Sequence, residues 1–126
     1  MSESPFRKIN GLDAEYLDAA YAGDTETAAM VFEQFLQELP SNTALIEDSI
    51  AKNDVESFRH HIHKQKPGFS YVGMTDVSNT FHELQSKCIT KEDLFTHRDT
   101  IQKVMNRIHA APDLLQKALI QLQNSQ

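Results

Sequence analysis

The sequence has one cysteine, no tryptophan, four glycines and four prolines in 126 residues. A lone Cys88 excludes an internal disulfide and a cysteine-based zinc cluster, and it fits a reducing compartment. No apolar run approaches the roughly 18 residues of a membrane span. The opening Met1-Ser2-Glu3-Ser4-Pro5 has neither the charged nor the apolar region of a signal peptide. The expectation is a cytoplasmic protein. Positive charge is scarce: 12 Lys+Arg stand against 18 Asp+Glu, a formal net charge of −6. An acidic surface repels phosphate backbones, which sets nucleic acid aside as a partner. Paired carboxylates, a Ser/His/Asp set and a phosphate-binding glycine loop are all missing, so turnover chemistry of the chain's own is not expected.

What remains is a helix-forming composition rich in Gln, Glu, Ala and Leu, long enough for one domain and one core. Punctuation divides it. A short helix is expected near 13–22, ended by Gly23. A second, capped by Asp24, carries Ala28, Phe32, Phe35, Leu36 and Leu39 at helical spacing and stops at Pro40. Ser41 would cap a third, with Leu45, Ile46 and Ile50 inward. Asp54 caps a fourth with the stripe Val55, Phe58, Ile62, Phe69 and Val72, closed by Gly73. Thr75 would cap a fifth, with Val77, Phe81, Leu84 and Cys88 inward. Thr90 and Asp93 resemble a capping box, and the phase from Ile101 to Leu122 holds through Pro112, which predicts one long helix kinked there. Nothing reads as a strand. Short connections make sequence neighbours antiparallel, so the fold class is all-α: an up-and-down four-helix bundle with short N-terminal helical elements packed on it. Residues 1–11 are expected to be a flexible terminus and 12–126 a single domain.

The composition leaves six histidines to explain, three of them at His60, His61 and His63. Residues three and four apart share a helix face. His63 therefore shares a strip with Arg59, His60, Lys66, Pro67 and Ser70, turned away from the Phe58–Ile62–Phe69 stripe. A neutral imidazole nitrogen is a good nucleophile toward phosphorus. Lys66, one turn on, is placed to stabilise the charge that a transferred phosphoryl group brings. Ser70 and Gly73 are small and would let another protein approach. Arg59, Lys64 and Lys66 form a local basic strip on an acidic chain. His61 lies nearer the buried side.

These residues resemble a known family. His63-Lys64-Gln65-Lys66, with Gly73 ten residues after the histidine, looks like the signature of histidine-containing phosphotransfer (HPt) domains. Asp24 through Pro40 looks like the family's preceding helix, and Ala51 through His60 like the approach to its phosphorylated histidine. The resemblance implies a four-helix bundle that relays phosphoryl groups between response-regulator receiver domains. It implies His63 as acceptor, Lys66 as the charge-stabilising lysine, Gly73 as the downstream glycine and Gln85 as a hydrogen-bond partner near the histidine. It also implies that receiver domains and a (hybrid) sensor histidine kinase are the partners, and that Mg²⁺ comes with the receiver, none being bound here. Most members have glycine directly after the lysine; here Pro67 precedes Gly68, and a kink one turn past the acceptor is expected.

Two other readings compete. His60 and His63 could bind a metal with His82 or Glu83, or the bundle could dock a partner without accepting phosphate. Outward projection of His63 weighs against the first, and the intact His63–Lys66 pair against the second. Starting at Met1 without a flanking domain, the chain reads as a standalone carrier, and a monomer is expected.

Overall fold

The computed structural model describes residues 4–7 and 9–125. Six helices follow in order: Ala14–Tyr21 (α1), Thr25–Ala51 (α2), Val55–Tyr71 (α3), Thr75–Lys87 (α4), Lys91–Thr96 (α5) and Arg98–Asn124 (α6). Among the described residues there is no strand, and no helix is long and apolar enough to cross a membrane.

Most helix starts are set by a side-chain oxygen ahead of the first turn, where free amides need acceptors. Asp13, Asp24 and Asp54 accept from the amides of Tyr16, Thr27 and Ser57 at 3.0, 3.0 and 3.1 Å. The capping box of Thr90 and Asp93 opens α5 as expected. Thr75 does not cap α4. Met74 occupies that position and is buried, and Thr75 is the first helical residue, its hydroxyl donating to Asp13 Oδ2 at 2.8 Å. Helix stops are backbone features: Gly23, Asn53 and Gly73 all take positive φ.

The expected break at Pro40 is absent. α2 runs straight through it, so the second and third expected helices are one. Buried Leu39, Thr43, Ile46 and Ser49 keep a three-to-four spacing across the proline, and Pro40 itself is on the solvent side. That continuous face also turns Leu45 outward, against the expectation that it packs inward. Pro112 lies inside α6 as its phase predicted.

The bundle is a ring of α2, α3, α4 and α6: α3 packs on α2 and α4, and α6 closes the ring on both. α1 lies across α2 and α3, and α5 lies on α6. Phe32, Phe58, Phe69, Phe81, Ile46, Leu84, Ile108 and Leu115 are fully buried at its centre. Phe69 meets Phe35 and Phe81 edge-on, with ring centroids 5.1 and 5.5 Å apart. The expectation of a flexible terminus over 1–11 needs correcting where it is described. Phe6 and Ile9 are buried in the core, and the Phe6 ring stands 5.9 Å from that of Tyr21. Residues 1–3, 8 and 126 of the expected segments lie outside the described residues.

Candidate functional site

The site is built on α3 and α4, the two helices on either side of the turn at Val72–Met74. Phe58, Ile62 and Phe69 anchor α3 in the core, which leaves His63 exposed on the bundle surface. On α4, buried Phe81 and Leu84 fix the facing side, so that Gln85 and His82, three residues apart, both come up beside α3.

The contacts form a chain. Gln85 Nε2 stands 2.9 Å from His63 Nδ1. Lys66 Nζ donates to Gln85 Oε1 at 3.3 Å and stands 3.4 Å from His82 Nδ1. Arg59 Nε donates to the Gln85 backbone carbonyl at 3.2 Å. His63, Lys66, Gln85 and Arg59 are thus brought together. His63 Nδ1 is engaged, whereas Nε2 has no hydrogen-bond partner among the described residues.

Other expected site residues fall elsewhere. Lys64 does not continue a strip with Arg59 and Lys66. It lines a groove between α2 and α3 with Phe35, Leu39, Asn42, Gln65 and Gly68, because one residue past His63 turns the helix about 100° toward α2. His60 is exposed and meets the His61 ring edge-on at 5.3 Å. His61 is half-buried, and its imidazole is held below the ordinary range by desolvation, then by His60 and Lys64. Ser70 donates to the Ser78 hydroxyl at 2.9 Å, tying α3 to α4. Pro67 is exposed and lies within a continuous α3. Gly73 is buried rather than part of an open surface: Leu17 of α1 and Leu12 just ahead of that helix occupy the space a Cβ there would need. Cys88 is buried, and burial pushes its thiol up. Among the described residues, no three His, Cys, Asp or Glu side chains gather as a metal site.

His82 is the member of the constellation that sequence reasoning missed, having weighed it only as a metal ligand. Its spacing of three from Gln85 on one helix was the available signal.

A family model described as the Hpt domain matches residues 30–125. No curated protein and no solved structure matches the chain.

Proposed function

This chain belongs to the Hpt domain family, and on that premise we propose that it accepts a phosphoryl group on His63 from a receiver aspartate and passes it to another receiver. A histidine-phosphotransfer role in a two-component phosphorelay comes with the family, as does partnership with receiver domains and histidine kinases. The residue and the route are our reading.

The observation that supports it is the engagement of His63 Nδ1 by Gln85 at 2.9 Å on an otherwise exposed ring. That contact orients the imidazole and leaves Nε2 as the nitrogen a partner can reach. In transfer, the Nε2 lone pair forms a bond to phosphorus, the bond from phosphorus to the aspartate oxygen breaks, and the carboxylate leaves with its electron pair. Lys66 lies one turn from the ring and would meet the phosphoryl oxygens by releasing its acceptors on α4. This chain supplies no metal ligand on this reading; Mg²⁺ belongs to the receiver. The carrier acts as a monomer in the cytoplasm, and dissociates readily because a relay must release its product.

The test is phosphotransfer from a phosphorylated receiver. His63→Ala should accept no acid-labile phosphate, while His60→Ala and His61→Ala keep most of the activity. Lys66→Ala should slow transfer by roughly tenfold or more without unfolding the bundle. Undiminished labelling of His63→Ala would reject the assignment.

A further inference from the structure

The chain Lys66–Gln85–His63 fixes more than the ring's orientation. An ammonium group has three N–H donors and no acceptor. The Gln85 atom that faces Lys66 Nζ at 3.3 Å is therefore the carbonyl oxygen Oε1. The amide NH₂ is then the group 2.9 Å from His63 Nδ1. An NH₂ only donates, so Nδ1 accepts with its lone pair. A neutral imidazole has one N–H, which this places on Nε2. Nε2 is the outward nitrogen, and in this tautomer it has no lone pair with which to attack phosphorus.

The reactive tautomer is the opposite one, with the lone pair on Nε2 and the proton on Nδ1. Its Nδ1–H would meet the Gln85 NH₂ donor to donor. The conflict is relieved when the amide turns end for end and presents Oε1 to Nδ1–H. That turn removes the acceptor from Lys66 and sets two donor groups against each other, so Lys66 has to move. The remaining acceptor holding Lys66 is His82 Nδ1, at 3.4 Å. Both contacts are long for hydrogen bonds to a charged group, so an incoming anion competes with them readily.

We infer that this arrangement is a resting state in which Lys66 latches the Gln85 amide and so keeps the outward nitrogen of His63 protonated, and that an arriving phosphoryl group releases the latch by taking Lys66. The ring then gives the Nε2 proton to solvent and takes one at Nδ1, with no net change in charge, and Nε2 is free to attack. Lys66 is a positioning residue here, acting through Gln85 before it meets the phosphoryl oxygens. The tautomer assignment stands on hydrogen-bond chemistry alone; the release step rests on the reading of His63 as acceptor.

The experiment is ¹⁵N NMR of the full chain, using long-range proton–nitrogen correlations of the imidazole at about pH 8.5, where an ordinary imidazole is neutral. Wild type should show His63 with its proton on Nε2. In Lys66→Glu, a carboxylate accepts from the Gln85 NH₂ and turns the amide, so the tautomer ratio should move toward Nδ1–H by at least about fivefold, the bias of one net hydrogen bond. In a Gln85→Leu background the same substitution should leave the ratio unchanged. A wild-type proton on Nδ1, an unmoved ratio in folded Lys66→Glu, or a shift that persists without Gln85 would each overturn the inference. Should Lys66→Glu not fold, Lys66→Met serves: a move toward Nδ1–H supports the latch and an unmoved ratio rejects it. A phosphate-accepting His63→Ala would reject the function while leaving the tautomer result standing.

Discussion

A methyl group added at Gly73 would lie 2.8 Å from Leu17 Cδ1 and 3.1 Å from Leu12 Cβ, on a backbone at φ +78°. Both the left-handed conformation and the lack of room select glycine here. Gly73→Ala should therefore destabilise the fold by about 2–3 kcal/mol, read as a lowered urea midpoint, while phosphotransfer from the folded fraction persists. A loss of transfer at unchanged stability would return Gly73 to the docking surface. This residue illustrates which part of the site a sequence discloses. His63 and Lys66 are three apart on one helix, so helical geometry alone pairs them. Gly73 has the same spacing logic, but the turn it closes carries it beneath α1, whose placement no local pattern encodes. Lys64 fails for a different reason: adjacency in sequence separates side chains on a helix, and its groove with Asn42 and Gln65 faces α2. His82 joins through Lys66, across two helices, a register that neither helix reveals by itself.

Three helices here contain an interior proline, at Pro40, Pro67 and Pro112. The phase of the buried stripe distinguishes a proline that ends a helix from one that is carried along. At Pro112 the stripe passes without interruption, and continuity was legible. The same test applies at Pro40, where Leu39, Thr43 and Ile46 continue the stripe, but two of the three buried positions after it, Thr43 and Ser49, are polar. A pattern of apolar residues alone loses the face there and reads a stop. All three rings are exposed, so their cost is in backbone hydrogen bonding rather than packing. A proline at position 40 cannot donate to the Leu36 carbonyl one turn earlier. Pro40→Ala restores that donor without opening a cavity and relaxes the unfolded chain in return. The net effect should be a gain of about 1–2 kcal/mol in stability, measured by urea unfolding. A loss would mean that the proline itself is needed to seat α2 against α3 and α6.

The bundle as a whole was legible because its four long stripes each have somewhere to go and its turns are short. Phe6 and Ile9 were not, since two isolated apolar residues carry no period, yet the core takes both. The acidic chain also stores pH dependence in groups that hold its elements together. The Asp13, Asp24 and Asp93 carboxyls are each held below the usual carboxylate range, chiefly by the backbone amides of Tyr16, Thr27 and Thr90. Their stabilisation is present above the unfolded value of 3.8 and is lost as pH falls through the lower folded values, where the unfolded chain binds protons first. His61 works over a higher interval. Desolvation between α2 and α3 favours its neutral form, so the unfolded chain takes up the proton first as pH falls below 6.5, and stability declines from there until the folded ring also titrates. Urea midpoints measured from pH 8 to 3 should therefore fall in two stages for the wild type. His61→Gln removes the titrating ring at the same place; its curve should stay flatter through the first stage and rejoin the wild-type slope in the second. Parallel curves across the interval just below 6.5 would show that the His61 environment does not distinguish its two charge states. They would also place the surface between α2 and α3 in freer contact with water than the groove beside Phe35 and Leu39 implies.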